Sequence, residues 1–162
     1  MPKHPTICST INIEHFPSTA RRWLNDTPNL TTNLAQRFTD YQFTLLEERF
    51  DTLLPYESYV IQETGPAWVR EACHQHGQSI LVYTRLCVPQ ASFEKRKTAF
   101  LSLKESPIGL CLLLKETDIK RSAFYHFSTN MAGYLARASS FQWGTETFMI
   151  TETFTPELLS HG

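Results

Sequence analysis

The sequence predicts an α+β domain built on an antiparallel sheet. Residues 66–75 and 78–88 read as two strands joined at His76-Gly77, and residues 135–142 and 146–154 read as a second hairpin around Trp143-Gly144-Thr145. Helix-forming segments interrupt these strands without the strand–helix–strand rhythm of a parallel sheet. With 162 residues, 41% of them hydrophobic and 19% charged, the chain can bury a sizeable core. No repeat or linker divides it, so residues 1–162 are expected to form a single domain.

Ser18 can cap a first helix ending at Asn25, and Thr27 followed by Pro28 can open a second running to about Asp40. Leu30, Leu34 and Phe38 lie on one face of that second helix. From Tyr41 the pattern turns extended, with Phe43, Leu45 and Leu46 as its apolar residues, and it closes at Leu53-Leu54-Pro55. After the first hairpin, residues 91–103 carry good helix formers, and Pro107 can open a short helix to Leu114. Ile119, Arg121, Ala123, Tyr125 and Phe127 alternate along a further strand before the last hairpin. Phe16, Trp23, Phe38, Phe50, Phe93, Phe100 and Phe141 read as packing residues of the core or its helical cover.

Composition excludes several function classes. Fifteen Lys plus Arg against sixteen Asp plus Glu leave a formal charge of −1, which offers no field for nucleic acid. The longest apolar stretch, residues 108–114, is too short to span a bilayer, and the N-terminal residues lack a signal-peptide pattern. A cytoplasmic monomer is expected. Cys8, Cys73, Cys87 and Cys111 form no C-x-x-C pair and read as reduced thiols. The tract Cys73-His74-Gln75-His76 has no second ligand pair at a usual zinc spacing, so it reads as solvated turn residues and no metal is expected. A thiol hydrolase using Cys73 or Cys87 with His74 or His126 lacks the usual nucleophile context. No glycine-rich phosphate loop implies a nucleotide cofactor.

Charged residues in phase with apolar ones are more informative, because a strand sends alternate side chains to opposite faces. Glu152 shares a face with Phe148, Ile150 and Phe154, and Arg121 is in phase with Ile119, Tyr125 and Phe127. A turn centred on His76-Gly77 would set Trp68 opposite Arg85 and Arg70 opposite Tyr83. The two arginines would then be diagonal neighbours on one face, a pairing that asks for an anionic ligand or protein carboxylates between them or for a solvated face, whereas a three-residue loop would put them on opposite faces. A two-residue Gly144-Thr145 loop sets Arg137 opposite Glu152.

Eight stretches, in order along the chain, carry a family resemblance. They are Trp23-Leu24, Leu34-Ala35-Gln36-Arg37-Phe38, Trp68-Val69-Arg70-Glu71, Tyr83-Thr84-Arg85-Leu86-Cys87-Val88-Pro89, Ser106-Pro107-Ile108-Gly109, Lys120-Arg121, Gly133-Tyr134-Leu135-Ala136-Arg137 and Ile150-Thr151-Glu152-Thr153-Phe154-Thr155-Pro156. On them the sequence resembles the chorismate pyruvate-lyases, which make 4-hydroxybenzoate for ubiquinone synthesis. The resemblance implies an antiparallel sheet whose flanking helices enclose the site, chorismate as substrate, and 4-hydroxybenzoate and pyruvate as products, with no cofactor. It further implies that Arg70 and Glu152 bind the aromatic product and that the Ile108 N–H meets its carboxylate. By the same resemblance Arg85 belongs to that pocket and Leu34 packs over the ligand from a flap. Catalysis would fall to Glu152, Arg70 and Arg85, with Arg121 and Arg137 in support.

The sequence departs from the family pattern at Ile108, where leucine is usual, and at Arg137-Ala138, where two arginines are usual. A second class of function, a non-catalytic sensor of small aromatic acids on the same fold, therefore stands beside the lyase reading. The regulators that use such sensors carry a DNA-binding helix-turn-helix, and no basic recognition helix is evident here.

Overall fold

The computed structural model describes residues 3–162, and within them one antiparallel sheet collects every strand. Its order is β1 (Ile7–Thr10), β6 (Tyr125–Thr129), β7 (Leu135–Trp143), β8 (Glu146–Phe154), β4 (Ser79–Pro89), β3 (Pro66–His76) and β2 (Tyr41–Thr52). The short β5 (Ile119–Arg121) also pairs with β7. The helices are α1 (Ser18–Asn25), α2 (Leu30–Arg37), α3 (Pro55–Ile61), α4 (Gln90–Leu101) and α5 (Pro156–Leu159), with a π-helical turn at Gly109–Leu113.

Alternation gives the sheet two different faces. On one, β3 presents Trp68, Arg70, Ala72 and His74, β4 presents Val82, Thr84 and Leu86, and β8 presents Phe148, Ile150, Glu152 and Phe154. Apolar clusters occupy both ends of this face. At one end Trp23, Leu24 and Leu34, from the buried stripes of α1 and α2, pack on Val82 and Phe154. At the other, Phe93 and Phe100 of α4 pack on Trp68, Phe141 and Phe148. The row between them, formed by Thr84, Glu152 and Arg137, is polar. The opposite face buries Val69, Cys87, Ala136, Ala138 and Met149 together with Val60 of α3 and Phe127.

The register of the first hairpin differs from expectation. Gly77, at φ 58°, takes a left-handed conformation, and the turn Gly77-Gln78 pairs His76 with Ser79 and Gln75 with Ile80. Leu81 is then an extra residue, because His74 pairs with Val82. Leu81 and Val82 are both buried, and the Leu81 carbonyl accepts from the N–H and hydroxyl of Thr155 at 3.1 and 3.2 Å. Beyond this bulge Arg70 pairs with Leu86 and Glu71 with Arg85. The expected pairs of Trp68 with Arg85 and Arg70 with Tyr83 do not form, and Arg70 and Arg85 lie on opposite faces. The last hairpin follows the expected register, with Arg137 opposite Glu152.

Other elements are also reshaped. The strand expected over residues 119–127 breaks at residues 122–124, where the Ser122 hydroxyl takes the Ser140 N–H at 2.9 Å. The shift leaves Arg121 in register with Phe141 and Phe127 with Ala136, so those two do not share a face. The second helix is shorter than expected, and Pro28 and Asn29 precede it as a loop. Phe50, on the edge strand β2, is 59% exposed rather than core. Strand β1 and helix α3 lie outside the elements anticipated from pattern.

Candidate active site

Between the two apolar clusters the helix-covered face holds a cavity of about 190 Å³. Its floor is Arg70, His74, Thr84, Leu86, Ile150 and Glu152, and its cover is Pro28 to Thr32 together with Ile108, Leu113 and neighbouring residues of the π-helical turn. Apolar residues alternate with polar ones in the lining, and the buried polar groups that face it, Arg70, His74 and Glu152, are desolvated and strongly felt by a ligand.

Glu152 is held by Arg137, which is fully buried. Arg137 Nε donates to Glu152 Oε1 at 2.8 Å, Nη1 to the Trp23 carbonyl at 3.1 Å, and Nη2 to the Thr27 carbonyl at 2.8 Å. Phe124 lies 4.1 Å from the guanidinium carbon. All three nitrogens of Arg137 are thus engaged, which makes it a positioning residue joining the sheet to the α1–α2 connection. Glu152 Oε2 makes no hydrogen bond to the described residues and is left to serve the cavity.

Arg70 is buried from the other side. Its Nη2 donates to the carbonyls of Lys104 and Ser106 at 2.8 and 2.6 Å, clasping the loop that carries Ile108. Lys104 takes a left-handed φ of 49°, a conformation that costs a side-chain-bearing residue on the order of 1 kcal/mol. Glu48, its partner across the β2 pairing, approaches Arg70 Nε only to 3.4 Å, and Nε has no hydrogen bond. Burial lowers the proton affinity of the guanidinium and Glu48 partly restores it. Arg70 therefore lines the cavity with its charge incompletely satisfied. Ile108 also lines the cavity, and its N–H donates to no group of the described residues. Arg121 sits at the rim, donating to the Pro28 carbonyl at 3.0 Å with no carboxylate in ion-pair reach among the described residues.

His74 contradicts the expectation of a solvated turn residue, for it is buried in the cavity floor. Burial pulls its imidazole down to about 4, against the opposing pull of Glu152. The strict alternation Trp68, Arg70, Ala72, His74 was the signal that would have placed it. Among the described residues no cluster of His, Cys, Asp and Glu is arranged to hold a metal ion.

These features set a buried cation and a carboxylate around one partly open cavity, and the sequence profile of the chorismate lyase family matches residues 1–161. The chain belongs to the chorismate lyase family. A probable chorismate pyruvate-lyase of Pasteurella multocida (strain Pm70) is 26% identical over 148 residues, which are 90% of this chain and 86% of that protein. No described helix of this chorismate lyase family member is long and apolar enough to cross a membrane.

Two residues expected in the site lie elsewhere. Because of the bulge at Leu81, Arg85 faces α3 instead of the cavity. It makes a bidentate pair with Glu57 at 2.7 and 3.1 Å and a further bond to Glu71 at 3.1 Å. Burial would lower its proton affinity, but Glu57 outweighs that and raises it. Glu57, wholly buried, also caps α3 by accepting the Leu54 N–H at 2.8 Å. Sequence reasoning missed this carboxylate, although a glutamate two residues after Leu54-Pro55 is a capping signal. Leu34 is sealed in the cluster with Trp23 and Phe154, and Thr31, one turn earlier on α2, lines the cavity in its place.

Ala138, where the family resemblance leads one to expect a second arginine, is 1% exposed and packs with Phe127 and Met149 on the face away from the cavity. Its departure from the family pattern leaves the cavity lining untouched. Burial also pushes the Cys73 and Cys87 thiols up, disfavouring the thiolate a hydrolase would need.

Proposed function

We propose that this protein is a chorismate pyruvate-lyase that forms 4-hydroxybenzoate and pyruvate, the aromatic product serving ubiquinone synthesis. The observation that carries the reading is the placement of an incompletely paired buried arginine, Arg70, and a carboxylate with a free oxygen, Glu152, in one cavity. Chorismate needs that combination, since it is a rigid ring bearing carboxylates and a hydroxyl.

In the elimination the C4–H bond breaks and its electron pair becomes the C3–C4 π bond. The C3–O bond breaks with its pair retained by the departing enolpyruvyl oxygen, and the proton released from C4 is balanced by the one taken up at the methylene carbon of that fragment, which becomes pyruvate. Atoms and electrons balance without an external oxidant or reductant, and aromatisation drives the step. Arg70 pairs with a substrate carboxylate, with the Ile108 N–H beside it, fixing the reactive conformer. Glu152 Oε2 accepts the hydrogen bond of the C4 hydroxyl, its position set by Arg137. The apolar walls lower the local dielectric and strengthen both contacts.

The test is incubation of purified, chelator-treated protein with chorismate and separation of the products. Equimolar 4-hydroxybenzoate and pyruvate are expected. Binding of 4-hydroxybenzoate without turnover would replace the lyase by a sensor of aromatic acids, and neither turnover nor binding would refute the choice of ligand.

A further inference from the structure

His74 has no role in the pairing that positions Arg70 and Glu152, yet it is built into the cavity floor. The hydroxyl of Tyr41 lies 2.6 Å from its Nδ1. The Tyr41 ring stacks on the imidazole at 5.7 Å between centroids, and Phe43 meets it edge-on at 5.4 Å, so the ring plane is fixed from two sides. Burial holds the imidazole neutral at neutral pH and pushes the Tyr41 phenol up, so the phenol keeps a proton that it can donate to Nδ1. A neutral imidazole that accepts at Nδ1 carries its own proton on Nε2. Nε2 makes no hydrogen bond to the described residues and is not among the polar atoms sealed without a partner.

His74 and Arg70 stand four residues apart on β3, about 13 Å along the strand, with the Thr84 and Glu152 row crossing the sheet between their rows. A ligand whose carboxylate is held by Arg70 directs its far end toward Glu152 and His74. A hydroxyl at that end needs both an acceptor for its proton and a donor for its oxygen. Glu152 supplies the first. We propose that His74 supplies the second, its Nε2–H donating to the hydroxyl oxygen of the bound aromatic acid and of its precursor. The assignment rests on the lyase reading above, and makes His74 a specificity-determining residue that favours a hydroxylated ring over a bare one.

The experiment compares binding of 4-hydroxybenzoate and benzoate by the wild-type protein, His74→Leu and His74→Gln. His74→Leu is expected to weaken 4-hydroxybenzoate about tenfold while changing benzoate less than about twofold, and His74→Gln, which keeps an N–H donor, recovers most of the loss. Unchanged affinity for 4-hydroxybenzoate in His74→Leu, or equal weakening of both acids, overturns the assignment. A wild-type protein that binds neither acid overturns the lyase reading itself and the assignment with it. Independently of how the variants fold, isotope-labelled histidine in the wild-type protein reports the Nε2–H resonance by NMR. It is expected to shift with 4-hydroxybenzoate and not with benzoate, and identical responses overturn the assignment.

Discussion

Replacing Arg137 by methionine separates the support of Glu152 from its chemistry. The native guanidinium is fully buried and makes three hydrogen bonds, one of them to the Glu152 carboxylate. Removing one partner of a buried ion pair costs about 3–5 kcal/mol, and the lower end applies because Glu152 borders a cavity that admits water. The Trp23 and Thr27 carbonyls each lose a donor, at about 1 kcal/mol apiece. Methionine fills much of the vacated volume beside Phe124 and Phe154, so little cavity penalty is added. The expected loss is about 5 kcal/mol, a large share of the stability of an ordinary domain.

Urea unfolding followed by circular dichroism measures this loss directly. At a slope of about 2 kcal/mol per molar, the midpoint should fall by about 2.5 M. Adding Glu152→Gln removes the unpaired charge, so the double variant should regain about 2–3 kcal/mol relative to the sum of the single changes. A single-variant loss below about 1 kcal/mol, or strict additivity in the double variant, would refute the view that Arg137 neutralises Glu152.

Arg70→Ala is expected to lower kcat/KM for chorismate about a hundredfold or more, since it removes a charged contact and unclasps the Lys104 and Ser106 carbonyls; near-normal turnover would remove it from the site. Glu152→Gln preserves shape but not charge, and should lower kcat about a hundredfold or more, whereas unchanged turnover would take the carboxylate out of the chemistry. His74 predicts a pH dependence of stability. Its pKa falls from 6.5 in the unfolded chain to about 4 in the fold. Between those values the unfolded chain binds a proton that the native protein does not, so stability is full above the upper value and drops on acidification by about 3 kcal/mol in all. His74→Leu should flatten this window in urea titrations, and an unchanged slope would show that another group controls it.

The strands were legible because two hairpins alternate cleanly and carry glycines at their turns. Glu152 and Arg137 were legible for the same reason, as their hairpin has an uninterrupted ladder and parity counted from the turn holds along its length. Arg85 was misplaced because one bulged residue, Leu81, reverses that parity, and no propensity marks which leucine in a buried strand will be the extra one. Arg121 was separated from Tyr125 and Phe127 by a similar slip, driven by a serine hydroxyl that takes a ladder N–H. Leu34 and Thr31 share a helix stripe, and only tertiary packing decides which of two residues one turn apart meets the core and which meets a cavity. His74 was hidden by its neighbours, since a tract of histidine and glutamine beside a glycine resembles a loop until its alternation from Arg70 is counted.

The bulge at Leu81 has an electrostatic consequence. If the register set by the Gly77-Gln78 turn ran on unbroken, Arg70 would sit directly opposite Arg85, about 5 Å away on the same face. Shifting the ladder by one residue instead interposes the sheet between them as insulation. On the far side Arg85 is neutralised within the protein by Glu57 and Glu71. On the near side Arg70 keeps a portion of its field unspent, so the leucine that displaces the ladder is what partitions the hairpin's positive charge into one cation for the fold and one for an incoming anion.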